Sequence, residues 1–309
     1  MIITVTLNPA LDHTIWVENL VVGGLNRTER AQLDCGGKGI NVSVVLAQLG
    51  IESRAMGFLA GDTGKIVLQG LPSKVMPSFT WLDAGSTRIN TKLYHGATGD
   101  TTEFNALGPT PTPSDLTRLL ADIERYVEEC TYLVLAGSLP PQVPQDFYGK
   151  IIALAKSRGV KCVLDTSGPP LVAGVKELPW MIKPNRMEAE YLSNTKIERI
   201  EEAVEVVNLW LGIGIEFVVL TLGSDGVLFA DNQHKVWARG AAPLIRSTVG
   251  CGDAMLAATL GYLQLGHSWM DTVHFATATA TATVTTEGTS FRPLHEIALF
   301  LDLVTIEIL

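Results

Sequence analysis

Between residues 130 and 223 the sequence alternates short apolar runs with amphipathic stretches, and no other feature narrows the fold as much. YLVLAG (132–137), VKCVLD (160–165), WMIK (180–183) and FVVLTLG (217–223) are too short for helices and carry the near-continuous apolar character of buried strands. Between them lie an amphipathic stretch reaching Arg158, a short helix after 165, and a helix over 199–211. The last places Ile200, Ala203, Val204, Val207 and Leu211 at helical spacing. Such alternation builds βαβ units and a parallel sheet. Gly or Ser follows several of the strands, the end at which an open α/β sheet receives its ligands.

The first hundred residues follow a different plan. A strand-like run at 2–7 precedes HTIWVENL, a Gly23-Gly24 turn and polar strand-like sequence up to Cys35. RINTKLYHGATGDTTEFNA predicts a hairpin turning at Gly96–Gly99. These pieces predict a small sheet, 12–35 and 86–107, inserted into a core of 1–11, 36–85 and 108–309. The 309 residues suffice for one large α/β domain or two ordinary ones, and neither an internal repeat nor an interdomain linker is apparent. FATATATATVTT (275–286) has the period of a strand, yet its small residues and apolar flanks favour a tightly packed helix.

Composition narrows the partners. Apolar residues make up 47% of the chain and charged ones 18%, the balance of a compact enzyme. A net charge of -9 repels nucleic acid and anionic membrane, so neither is expected, and a bound phosphate must find cations and N–H donors locally. Cys35, Cys130, Cys162 and Cys251 lack CxxC or zinc-ligand spacing, so reduced thiols in a cytoplasmic protein are expected. The segment MIITVTLNPALDH has no basic n-region or cleavage site, and no long apolar run occurs, so export and membrane spanning are not expected.

Two segments carry chemistry. In STVGCGDAMLAATLGYL (247–263), Gly-x-Gly-Asp feeds directly into an apolar helix, which brings flexible backbone and a positive helix end to one acidic side chain. N–H donors beside a carboxylate are what phosphoryl transfer to a hydroxyl requires. In CGGKGINVSVVLAQLG (35–50), Gly36, Gly37 and Gly39 open a helix whose first turn presents Lys38 and Asn41. Each alone also fits an ordinary Gly-rich helix entry.

With TLNPALD (6–12), STRINTKL (86–93), LAGSLPP (135–141), LDTSG (164–168), IKPNRMEAE (182–190) and TLGSDG (221–226), the chain resembles the ribokinase-like carbohydrate kinases of the phosphofructokinase B group. The motifs stand in the family's order along nearly the whole chain. The resemblance implies a three-layer α/β/α sandwich with a small β-sheet lid, and ATP and Mg²⁺ as cofactors. Asp253 matches the catalytic base, with the N–H groups of Gly250, Cys251 and Gly252 lining an anion hole. Cys251 replaces the usual Ala and introduces a potential site of oxidation. Asn185 and Glu188 match an NxxE element that helps hold Mg²⁺ through water, although NxxE alone also reads as a helix cap. Lys183 falls beside the nucleotide phosphates, and Thr221, Gly223 and Gly226 against ATP, where SDG alone would be a hairpin turn. Asp12, with Gly37 and Asn41, matches the grip on sugar hydroxyls. Ser138 and Asp165 match strand-end positions near the site.

The cations imply a substrate that already bears a phosphate. Lys38, Arg88 and Lys92, with Arg27 from the lid, form a candidate phosphosugar cluster. TRIN-x-KL resembles 1-phosphofructokinases and GGKG is shared with tagatose-6-phosphate kinases; Glu103, where some 6-phosphofructokinases are basic, disfavours that third option. The expected reaction is fructose 1-phosphate plus ATP to fructose 1,6-bisphosphate plus ADP, with a homodimer through the lid as a further implication. A P-loop fails at Leu59 and Ile66, a Rossmann dehydrogenase lacks its third glycine, and GxSxG and HExxH are absent. His13 beside Asp12 suits a lid residue better than a catalyst. A silent sugar-phosphate-binding regulator is the rival of a different class, opposed by the intact Asp253, Lys183, Asn185 and Glu188.

Overall fold

The computed structural model describes residues 1–288 and 290–309. The chain opens with β1 (Ile2–Thr6), continues through the β2 (Ala10–Val17) and β3 (Arg30–Gly36) hairpin, and enters α1 (Lys38–Gln48). Next come β4 (Ser53–Ala60), α2 (Gly61–Gln69), β5 (Val75–Leu82), β6 (Arg88–His95) and β7 (Thr101–Phe104). The βα series follows: α3 (Pro113–Tyr126), β8 (Tyr132–Ala136), α4 (Phe147–Ser157), β9 (Lys161–Asp165), α5 (Gly168–Val175), β10 (Met181–Ile182), α6 (Arg186–Ser193), α7 (Ile200–Gly212) and β11 (Phe217–Thr221). Last are β12 (Val227–Asp231), β13 (Lys235–Gly240), α8 (Cys251–Gln264), α9 (Trp269–Thr283), α10 (Leu294–Ile297) and β14 (Val304–Ile308).

Ten strands form one sheet in the order β14-β13-β12-β11-β10-β9-β8-β1-β4-β5. The seven from β11 to β5 are mutually parallel, and β12, β13 and β14 add an antiparallel flank. All five residues of β1 and of β8 are buried, as strands covered on both faces must be. Helices α3 to α7 pack one face, through side chains such as Leu119, Phe147, Ile151 and Trp210. The opposite face is covered by α1, α8 and α9, with Val42, Leu46, Leu256 and Ala276 in contact with it. This is the expected three-layer sandwich.

A separate four-stranded sheet, β3-β2-β6-β7, carries the first-hundred-residue insertion. Its register puts Asp12 opposite both Asp34 and Asn90, and Thr14 opposite both Gln32 and Lys92, so these side chains share one face. The Ala/Thr run is helical as far as Thr283, where α9 ends. The hydroxyls of Thr277, Thr279, Thr281 and Thr283 each donate to the carbonyl four residues back, at 2.7 to 2.8 Å, which satisfies them in a buried helix. No helix among the described residues is long and apolar enough to cross a membrane.

Parallel strands align their carboxyl ends. The segments leaving β1, β8, β9, β10 and β11 therefore place Asn8, Ser138, Asp165, Lys183 and Thr221 along one edge of the large sheet.

Candidate active site

Helices α1 and α8 both start at a glycine with positive φ, 114° at Gly37 and 77° at Gly250. At Gly37 a Cβ would stand 2.8 Å from Thr6 Cγ2 and 3.1 Å from Pro9 Cα, so both backbone angle and space demand glycine. The two helix beginnings converge. Asp253, third residue of α8, is buried, and its Oδ2 accepts a 2.7 Å hydrogen bond from Asn41 Nδ2 of α1. Gly252 lies against Lys183, where a Cβ would come within 3.0 Å of Nζ. The first turn of α8 thus has a carboxylate, a lysine and unobstructed backbone at one point.

The charges around Asp253 are asymmetric. Asp165, fully buried at the end of β9, accepts from Lys38 Nζ at 2.7 Å through Oδ1 and pairs with Lys183 Nζ at 3.1 Å through Oδ2. Burial would raise its pKa, but the two ammonium groups outweigh burial and hold it below the usual carboxylate value. Burial also works against the Lys38 charge, yet Asp165, Glu188 and Asp253 together keep its pKa above normal. Among the described residues the direct hydrogen-bond partner of Asp253 is a neutral amide. Burial first, and the Asp165 charge second, push its pKa up to about 6.

Asn185 caps α6: its side chain accepts from Glu188 N at 2.9 Å while Glu188 Oε2 accepts from Asn185 N at 2.9 Å. Glu188 Oε1 lies 3.9 Å from Lys38 Nζ. Thr221 is bridged to Asn185 at the end of β11, so the NxxE and TLGSDG segments abut. The latter is a β11–β12 turn. Gly226 is required there because a Cβ would fall 2.3 Å from Ala238 O, whereas Gly223 has open space around it. Cys251 departs from expectation: burial and then Asp253 push its thiol up to about 12, so little thiolate exists to be oxidised.

The small sheet contributes a second polar centre. Asp12 Oδ2 accepts from Lys92 Nζ at 2.7 Å and Oδ1 accepts from Asn90 Nδ2 at 3.1 Å, all three residues being buried. The cations expected as one cluster are divided: Lys38 pairs with Asp165, Lys92 with Asp12, and Arg27 is exposed in the loop between β2 and β3. Arg88 instead donates to main-chain carbonyls, Nε and Nη2 to Asn8 O at 3.2 and 3.0 Å and Nη1 to Ala106 O at 2.9 Å. Burial lowers its pKa against the pull of Asp12. Lys92 and Thr14 line a cavity of about 270 Å³ that reaches Ser247 and Val249, next to Gly250.

A buried carboxylate at a glycine-opened helix, beside the strand-end residues Asp165 and Lys183, is an arrangement shared with known proteins. The profile of the pfkB family carbohydrate kinase matches residues 5–296. The chain belongs to this family. It is 37% identical over 260 residues to a 1-phosphofructokinase of Bacillus subtilis, covering 84% of each chain. It is 32% identical over 291 residues to a D-tagatose-1-phosphate kinase of Bacillus licheniformis, covering 93% of this chain and 94% of that one. Phosphofructokinase-2 of Escherichia coli, solved with substrates and products, superposes with a TM-score of 0.90 at 27% identity, covering 97% and 98% of the two chains. Membership makes this chain a phosphotransferase acting on a sugar hydroxyl, with ATP as the implied donor.

Sequence reasoning gave Asp165 little weight and missed Asn8 and Asn90. Asn8 links three parts of this kinase: its carbonyl receives Arg88, and its side chain donates to Leu107 O at 3.0 Å and Ser138 Oγ at 3.4 Å. The signal was available in NPALD, where Asn8 directly follows the strand-like run at 2–7. For Asn90 it lay in the two-residue alternation of RINTK. Among the described residues no group of three or more His, Cys, Asp or Glu could hold a metal directly. With Asn185 and Glu188 Oε2 engaged in the cap, Glu188 Oε1 is the acceptor that fits a water of a hydrated cation.

Proposed function

We propose that this kinase transfers the γ-phosphoryl group of ATP to the 6-hydroxyl of a ketohexose 1-phosphate, with fructose 1-phosphate as substrate and fructose 1,6-bisphosphate as product. The observation that carries the assignment is the buried Asp253, fixed through one oxygen by Asn41 and raised to about pKa 6. Its Oδ1 is directed to the acceptor hydroxyl, whose proton it takes as the phosphoryl group leaves ATP. The N–H groups of Gly250, Cys251 and Gly252, with Lys183, neutralise charge on the transferring group. Lys38 takes part there as well, since its partners are Asp165 and Glu188. Asp165 is a positioning residue for both lysines.

Thr221, Gly223 and Gly226 lie toward the nucleotide, and Glu188, held in place by the Asn185 cap, would hold Mg²⁺ through water by its Oε1. Bound there, the metal would neutralise the β- and γ-phosphates of the donor. Asp12, held by Lys92 and Asn90, accepts sugar hydroxyls together with Asn41 and the backbone at Gly37. Arg88 reaches the substrate phosphate because its contacts are neutral carbonyls that leave its charge available. Ser138 stands beside it through Asn8. Glu103 lies opposite Lys92 in the sheet and adds negative charge to that face, which favours a 1-phosphate over a 6-phosphate substrate. Both curated relatives described above are named for ketohexose 1-phosphates, which supports the same choice.

We place residues 12–35 and 86–107 as a lid that excludes water. Its outer face exposes Leu33 of β3, Ile89 of β6 and Phe104 of β7, apolar surface suited to a second copy of the lid in a homodimer. The four cysteines are free, in keeping with the cytoplasm. The deciding experiment is a coupled ADP-release assay with fructose 1-phosphate, tagatose 1-phosphate, tagatose 6-phosphate and fructose 6-phosphate side by side. Turnover is expected to be fastest with fructose 1-phosphate; preference for a 6-phosphate rejects the substrate assignment, and no turnover with any sugar rejects the enzyme in favour of a binding protein.

A further inference from the structure

The small sheet and the core meet at one carboxylate. Glu287 Oε2 accepts from Arg30 Nη2 of β3 at 2.5 Å, and Glu287 Oε1 accepts from Arg246 Nη1 at 2.5 Å. Two guanidinium groups share one negative charge. Both, together with Arg292, line a second cavity of about 560 Å³ whose walls include Thr286, Ser290, Leu244 and Phe300. Arg292 is met by Glu296 at 2.5 Å and donates to Thr285 Oγ1 at 2.7 Å. Three arginines set against Glu287 and Glu296 leave one positive charge over, in a chain whose net charge is -9.

Donors are left over too. A guanidinium carries five N–H groups, and Arg30 and Arg246 each give one of them to Glu287. The Arg30 plane is fixed by stacking 3.8 Å from the Trp16 ring centroid, so its remaining donors are held in one direction. Planar forks of this kind match the oxygens of a phosphate. The cavity falls within the roughly 300–1,000 Å³ typical of metabolite pockets and is larger than an inorganic ion needs. Leu244 and Phe300 supply an apolar wall for the rest of such a molecule.

We propose that this cavity binds a phosphate-bearing small molecule between Arg30, Arg246 and Arg292, at a site separate from the catalytic one. Arg30 comes from the small sheet and the other two arginines from the core, so the ligand contacts both only while they are apposed. Occupancy and apposition therefore favour each other. Arg246 and Glu287 line this cavity and the one beside Lys92 alike, so a single wall separates the ligand from the proposed substrate pocket. Binding stands independently of the proposed substrate; only an effect on turnover rests on it.

Isothermal titration of the full chain with inorganic phosphate, and separately with ribose 5-phosphate, tests the site without any activity readout. Arg292→Gln and Arg30→Gln are each expected to weaken one class of anion site by about tenfold or more. Arg292→Lys, which keeps the charge, should retain more affinity than Arg292→Gln. The kcat of Arg292→Gln should stay at the wild-type level. Tighter uptake of ribose 5-phosphate marks an ester as the occupant, and equal affinity marks the free ion; either keeps the site. Arg30 is half-exposed on an edge strand, so its variant tests the site even where Arg292→Gln folds poorly. Unchanged anion binding in both Gln variants, with loss only in Lys183→Met, would assign all binding to the catalytic centre and overturn the proposal.

Discussion

Two of the carboxylates buried near lysines, Asp12 and Asp253, are treated in opposite ways. Asp12, on the small sheet, has both oxygens engaged, one by the Lys92 ammonium and one by the Asn90 amide. Asp253, on the core, is given a neutral amide, while the nearby lysines pair with Asp165 instead. A carboxylate tied to a cation is a fixed acceptor of hydrogen bonds; one denied a cation, and facing another carboxylate, is poised to take a proton. In the proposed reaction the core therefore contributes the base and the small sheet the grip, although both positions are buried aspartates.

The largest expected effect comes from removing the base. Asp253→Asn keeps the shape and the Asn41 contact, so kcat should fall by about 10²- to 10⁴-fold while nucleotide affinity is retained. Steady-state kinetics with nucleotide titration measure both, and wild-type turnover would make Asp253 no different in kind from Asp12. The converse experiment acts on stability. Lys92→Met leaves Asp12 buried beside a neutral side chain and should cost about 3–5 kcal/mol in urea denaturation. Adding Asp12→Asn to that variant should recover much of the loss; no recovery would show that Lys92 matters through packing instead of charge.

A smaller effect separates phosphate recognition from both centres. Arg88→Ala removes a guanidinium held by main-chain carbonyls, so KM for the phosphosugar should rise about 10- to 100-fold with kcat little changed. A fall in kcat at constant KM would move Arg88 from the substrate phosphate to the transferring group.

Much of this was legible before the structure. The strands, the βα alternation and the glycine-opened helices follow from local pattern, because period and turn chemistry are short-range signals. The pairings were not. Lys38, Arg88 and Lys92 look equivalent in sequence, yet each acquires a different partner, since Asp165 lies 127 residues from Lys38 and Asp12 lies 80 from Lys92. The NxxE segment shows the other limit: its cap is a local hydrogen-bond pattern, whereas the proximity of Glu188 Oε1 to Lys38 depends on how β10 and α1 meet across the sheet.

The asymmetry between the carboxylates also has a pH signature. A base with a pKa of about 6 is ionised at neutral pH and lost by protonation below it. The rate kcat/KM should therefore fall by about tenfold for each unit of pH below 6, with a single proton involved. Stability should move the other way. The folded-state pKa of Asp253 lies above that of the unfolded chain, so its ionisation opposes folding fully above about pH 6, and the penalty disappears as pH falls toward about 4. Asp253→Asn should consequently stabilise the fold at pH 7, by on the order of 2 kcal/mol, and not at pH 4. Equal stability of variant and wild type at both values would mean that Asp253 is as well compensated as Asp12, and the distinction between base and grip would have to be drawn elsewhere.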